Sequence, residues 1–213
     1  MTRTRPGVSR FASLSAMLLA LAGCSNFFAP RVDPSRFFVL SVRPAPDLDL
    51  PAWVRSRSYG VGPIGLPDYL ERPTVVTRVN DSEIRPTHLD RWAEPIEKGV
   101  LRVLREDLRR CLDAPRVIAF PWYASDRPDY GVSIDFQRFE REPSGSAYLV
   151  AHWSVRDAAT GENLLRGDTV ARRDPATAEE SASIEAQSDL LMQLAREIAQ
   201  GIATIPVGRT SRR

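Results

Sequence analysis

The chain has 213 residues, with 29 basic side chains against 27 acidic ones and a formal charge of +2. That length suits a single domain with a sizeable core. So even a charge balance offers no basic surface for nucleic acid, and two cysteines with two histidines leave little from which to build a disulfide framework or a His/Cys metal site.

The first segment reads as an export signal. Arg3, Arg5 and Arg10 precede Phe11 to Ala22, a stretch of small and apolar residues. A positive stretch followed by a short apolar run is the pattern of a secretory signal. The run is about 12 residues, well short of the roughly 20 needed to span a bilayer. It ends in Leu21-Ala22-Gly23-Cys24, which matches a lipobox. Residues 1–23 are therefore expected to be removed and Cys24 to be acylated. Two or more acyl chains hold a protein on a membrane without further contact. Ser25, rather than aspartate, follows the cysteine; by the sorting pattern of enteric lipoproteins this points to the outer membrane, facing the periplasm. The 190 residues that remain carry 26 basic and 27 acidic side chains.

Residues 24–35 read as a tether, 36–205 as one α+β domain and 206–213 as a basic tail. Within the domain, Arg36 to Val42 is rich in strand formers. Pro44 to Pro51 is a loop. Arg57 to Ile64 and Thr74 to Val79 are strands, and Glu83 to Thr87 completes a hairpin after the Asn80-Asp81 turn. Leu89 to Leu112 carries Ile96, Val100, Leu104, Leu108 and Cys111 at helical spacing. Cys111 then falls on the buried face, where a thiol acts as a small hydrophobe. Val117 to Phe120 is a short strand. Tyr130 to Phe139, Ala147 to Val155 and Leu164 to Ala171 are joined by connections too short for parallel crossovers, so they form an antiparallel meander. Thr177 to Ile205 is a second long helix. The expected architecture is a mainly antiparallel or mixed sheet with two long amphipathic helices on one face.

The residues offer no catalytic constellation and call for no cofactor. Gly60-Val61-Gly62-Pro63-Ile64-Gly65 matches the dinucleotide-binding glycine pattern, but two prolines punctuate it and no helix follows to hold a pyrophosphate. His88 and His152 lack neighbours at metal-ligand spacing. The remaining carboxylates lie beside arginines on faces expected to be solvated. Two stretches stand apart from any periodic element: Val61 to Pro73, with its three prolines and Tyr69, and Arg91-Trp92-Ala93-Glu94-Pro95. Each reads equally as a structured loop or as a rigid apolar-aromatic surface for a protein partner.

At these residues the sequence resembles the PqiC family, the ABC-type transport auxiliary lipoproteins. The resemblance rests on Gly62, Pro63, Ile64, Leu66, Pro67, Tyr69, Leu70, Glu71 and Arg72, then Thr77 and Arg78, then Arg91 to Pro95. Glu71 stands where aspartate is frequent. The resemblance implies a non-enzymatic auxiliary subunit working with an MCE-domain periplasmic protein in phospholipid transport between membranes, and it admits a homo-oligomer. Pro63, Leu66, Pro67, Tyr69, Leu70, Arg72, Arg91, Trp92 and Glu94 become the candidate partner-binding residues. The other reading is a lipoprotein that carries or gates phospholipid in a cleft of its own.

Overall fold

The computed structural model describes residues 33–206. The expected signal peptide, Cys24 and most of the tether, and all but the first residue of the tail, lie outside the described residues. A compact unit begins at Ser35. Its strands, in chain order, are β1 (Arg36–Phe38), β2 (Ser58–Gly65), β3 (Thr74–Arg78), β4 (Ile84–Trp92), β5 (Arg116–Ala119), β6 (Tyr130–Arg141), β7 (Ala147–Asp157) and β8 (Asn163–Arg173). Its helices are α1 (Ala52–Arg55), α2 (Ile96–Leu112) and α3 (Glu180–Ala203).

All eight strands form one mixed sheet, with the path β1-β4-β3-β6-β2-β5 and with β7 and β8 continuing from β6. The meander is as expected: β6, β7 and β8 pair antiparallel along their length. Tyr130, Val132, Ile134 and Phe136 point into the core, as do Leu149, Ala151, Trp153 and Val155. The period-2 pattern is thus satisfied on one buried face. The parallel pairings, β1 with β4, β2 with β5, β2 with β6 and β3 with β6, have no short connection to announce them.

Both long helices cover that buried face. In α2, Ile96, Val100, Leu104, Leu108 and Cys111 are buried, joined by Val103 and Leu112. Asp113 ends the helix in the left-handed region at φ 46°. Its N–H and that of Ala114 return to the carbonyls of Arg110 and Arg109, so the last turn closes before Pro115. In α3 the buried set is wider than one stripe and includes Leu190, Leu191, Leu194 and Ile198, because this helix packs on both the sheet and α2. Each fully buried leucine contributes about 2 kcal/mol. The helices run side by side in the same direction: Arg43 touches Asp107 of α2 and Asp189 of α3, and Cys111 Sγ lies 3.6 Å from Met192 Sδ.

Four boundaries differ from expectation for identifiable reasons. Helix α2 begins at Ile96 rather than Leu89. Trp92 N–H donates to Pro73 and Ala93 N–H to Phe38, which keeps this stretch in the sheet ladder, and the residue before Pro95 is driven towards extended backbone. Strand β1 stops at Phe38 because the chain is then drawn to the helices: Leu40 C=O accepts from Arg102 and Ser41 N–H donates to Ser188 Oγ. The proline-rich loop closes with the short helix α1, and Tyr59 O–H donates to its Val54 carbonyl at 2.8 Å. Helix α3 starts at Glu180, three residues after Thr177. The glycine-pattern segment is strand β2. Its register against β6 shifts between Val61 and Ile64, where Gly62 adopts φ 115°. A Cβ there would also meet Phe120 Cβ at 2.6 Å, so these glycines serve a bulge and a close contact.

The expectation of solvated carboxylates fails at three positions. Asp90, Asp107 and Glu140 are at most 2% exposed.

Candidate docking site

Glu140, on β6, organises the first motif. Its Oε1 accepts from Arg78 Nε at 2.6 Å and Arg138 Nε at 2.8 Å. Its Oε2 accepts from Tyr69 O–H at 2.8 Å and Phe139 N–H at 3.0 Å. Arg78 Nη2 also donates to Tyr69 Oη at 3.1 Å, while Arg138 stacks on Tyr148 with 4.1 Å to the ring centre. A buried carboxylate with both oxygens filled by donors meets the condition for a tolerable buried charge. Burial, reinforced by the neighbouring carboxylate, pushes the Tyr69 hydroxyl up to about 12. Tyr69 is therefore fastened into the domain by its polar atom. Leu70 belongs to the core at 2% exposure, and Leu66 packs against that core. Pro67 opens the tight turn that Leu70 N–H closes at 2.8 Å. These residues hold the segment in shape.

The second motif is held differently. Trp92 packs inward from the end of β4, with 8% exposure. Glu94 Oε1 accepts from Arg102 Nη2 at 2.6 Å. Gly99 leaves room for that carboxylate, which a Cβ would approach to 3.3 Å. The backbone bond from Trp92 N–H to Pro73 C=O, at 2.8 Å, then brings the two motifs edge to edge.

Where they meet there is an open cleft of about 440 Å³. Pro73, Trp92, Pro95 and Ile96 give it an apolar lining, and Glu71, Arg72, Glu94 and Glu97 supply its charges. Glu71 and Glu97 make no side-chain ion pair among the described residues. Of the nine candidate residues, Arg72, Trp92 and Glu94 line this cleft. Arg91 does not: it precedes Trp92 on the strand and faces the opposite side of the sheet, beside Phe37. Pro63 lies elsewhere, on the rim of another cleft with Phe120 and Trp122. Leu66, Pro67, Tyr69 and Leu70 are not among the residues that line the cleft between the motifs. Glu71, Pro73, Ala93 and Pro95 do line it, from within the two stretches but outside the nine candidates, and Ile96 and Glu97 follow the second stretch in sequence. Glu140 carried no signal, since its partners are 62 and 71 residues away.

His152, the other residue with chemical potential, pairs with Asp168 at 2.6 Å across β7 and β8. Both side chains are more than half exposed, and the nearby Ser154 hydroxyl is engaged with Ser133 at 2.9 Å. This is a cross-strand surface pair. No helix among the described residues is long and apolar enough to cross a membrane.

The model of the ABC-type transport auxiliary lipoprotein component family matches residues 38–199. The chain belongs to that family. Membership makes it a transport-associated, membrane-anchored lipoprotein of a family not known for enzymes. The matched residues run from the last residue of β1 through most of α3 and include the residues that line the cleft. Among solved structures, protein XCC0632 from Xanthomonas campestris, of the DUF330 family, has 18% identity and a TM-score of 0.67, covering 79% of this chain and 96% of that one. An uncharacterized protein has 15% identity and a TM-score of 0.63, covering 79% and 98%. Both share the fold. A PelC dodecamer from Paraburkholderia phytofirmans has a chain with 12% identity and a TM-score of 0.44, covering 75% and 96%. No curated protein sequence matches the chain.

Proposed function

We propose that this protein is the outer-membrane docking subunit of an MCE-type phospholipid transport system. Residues 1–23 direct export, Cys24 carries the lipid anchor, and the domain grips a periplasmic MCE-domain partner through the cleft between the two motifs. The observation that carries this reading is the meeting of two segments about 20 residues apart in sequence at one open, apolar-floored cleft. Its two free carboxylates select a partner segment with an apolar residue beside lysine or arginine. Family membership supports the transport role.

The packing supports docking over carriage of lipid inside the domain. Phe136, Leu149 and Leu191 are each at most 1% exposed and fill the helix–sheet interface, so an acyl chain there would have to displace them.

A photoreactive residue at exposed Ala93, in cells expressing the acylated protein, should crosslink to an MCE-domain protein. The same residue at Thr160, on the β7–β8 turn, should not. An Ala93 adduct pattern identical to that of Thr160 would reject the docking cleft.

A further inference from the structure

Strand β4 has two faces, and the docking cleft uses only one. Six large hydrophobic side chains are exposed among the described residues, and three of them stand together on the other face. These are Phe37 at 62%, Val39 at 53% and Leu89 at 45% exposure. The parallel register sets Phe37 directly opposite Arg91, with Leu89 two residues before it on the same side. Alternation turns Phe38, Leu40, Asp90 and Trp92 inward. Arg91 is exposed and has no ion-pair partner among the described residues. Arg85, on the same alternation, is 67% exposed and paired with Glu83. An apolar patch flanked by arginine and pointing away from the core is a surface built for a partner that is apolar beneath and anionic at its boundary.

The chain's own connectivity identifies that partner. Strand β1 is the first strand among the described residues, and Phe37 lies 13 residues beyond Cys24. A fully extended chain of that length covers at most about 45 Å at roughly 3.4 Å per residue. Whatever surface Cys24 is anchored to is thus always within that distance of the patch. Tethering at such short range raises the effective concentration of the bilayer at the patch, so that even a weak contact is occupied.

We propose that Phe37, Val39, Leu89 and Arg91 form a membrane-contact patch. It lays the helix-free side of the β1–β4 edge on the lipid surface and turns the Trp92 cleft away from it. The patch gives Arg91 a task that the docking cleft does not: its guanidinium meets lipid phosphate while Phe37 and Leu89 enter the headgroup boundary. The placement rests on Cys24 carrying the anchor; the contact itself is testable without acylation.

The test uses the Cys24→Ser chain freed of residues 1–23, which retains the whole compact unit from Ser35. Flotation is measured with vesicles of phosphatidylethanolamine and phosphatidylglycerol. The protein should float with these vesicles, and about threefold less with pure phosphatidylcholine. Phe37→Ser with Leu89→Ser should reduce flotation about tenfold, with an unchanged circular dichroism spectrum and a melting curve close to the parent's, because Phe37 is mostly exposed and Leu89 nearly half exposed. Arg91→Glu should reduce it about threefold. Glu71→Lys with Glu97→Lys should float no less than the parent, which separates this contact from the docking cleft. Absence of flotation by the parent chain, or flotation that ignores the Phe37 and Leu89 changes, overturns the proposal. So does a double variant that floats normally yet loses capture of a periplasmic protein, since the patch would then be a protein interface.

Discussion

Tyr69 and Trp92 occupy corresponding places in the two motifs, each an aromatic ring in a proline-punctuated segment, yet the fold employs them in opposite ways. The Tyr69 hydroxyl is engaged inside the domain, between Glu140 and Arg78. Trp92 sends no side-chain hydrogen bond into that network and supplies apolar surface to the cleft. An aromatic residue in a rigid loop is thus not a partner contact by virtue of its type. What decides is whether its polar atom is already satisfied by the protein and whether its ring still borders open space.

The largest test of that contrast is at Glu140. Glu140→Ala removes the acceptor of Arg78, Arg138 and Tyr69 together. Breaking a buried ion pair costs about 3 kcal/mol or more, so the unfolding free energy from urea titration should fall by that amount. A loss under about 1 kcal/mol, the usual effect of a point change, would mean that the first motif is fastened some other way.

Asp107 supplies a pH-dependent counterpart among the buried carboxylates. Its Oδ1 accepts a long bond from Arg43 N–H at 3.4 Å, and its Oδ2 has no hydrogen-bond partner among the described residues. Burial, with Glu106 adding to it, pushes this carboxyl up to about 7. The folded protein therefore holds the proton more tightly than the unfolded chain, where the group titrates near pH 4. Its contribution to stability is fully present below about pH 4 and is lost as pH rises to about 7. Asp107→Asn should match the parent near pH 4 and exceed it progressively towards pH 7 in denaturant titrations. A constant difference across that range would contradict the assignment.

A smaller effect is expected at Tyr69 itself. Tyr69→Phe keeps the ring and removes both the bond donated to Glu140 and the bond accepted from Arg78, so stability should drop by about 1.5 kcal/mol. Capture of the periplasmic partner by the folded variant should be unchanged. The smallest effect on stability belongs to the cleft rim. Glu71→Lys with Glu97→Lys should change the unfolding free energy by no more than about 0.5 kcal/mol, while partner capture falls about tenfold or more, equivalent to about 1.4 kcal/mol of binding. A rim variant that binds normally would leave Trp92 as ordinary core.

Much of the scaffold was legible in the residues because its signals are local. The alternation in β6 to β8 and the apolar stripes of α2 and α3 are dictated by backbone periods of 2 and 3.6. The short turns between β6, β7 and β8 allow only antiparallel neighbours. The candidate site was legible in part: Arg72, Trp92 and Glu94 meet at the cleft, but Arg91 points to the other side of the sheet, and Tyr69 and Leu70 are committed to the interior. The error at the start of α2 shows why. Leu89 fits the helical spacing, yet a ladder bond from a distant segment and the steric effect of Pro95 on Glu94 outweigh a stripe of one additional residue.

By itself the sequence determined most of the element types, and it raised the expectation of an N-terminal export and lipidation signal ahead of one domain and of two segments that a partner reads. These follow from side-chain period, proline geometry and short-range motif spacing, which act within a few residues. The tertiary structure alone decided that β6 sits between β7 on one edge and β2 and β3 on the other, that Glu140 becomes the anchor of Tyr69, and that successive residues Arg91 and Trp92 serve opposite faces. Those outcomes depend on pairings across dozens of residues, where burial and the need to satisfy each buried charge choose among partners that local pattern cannot rank.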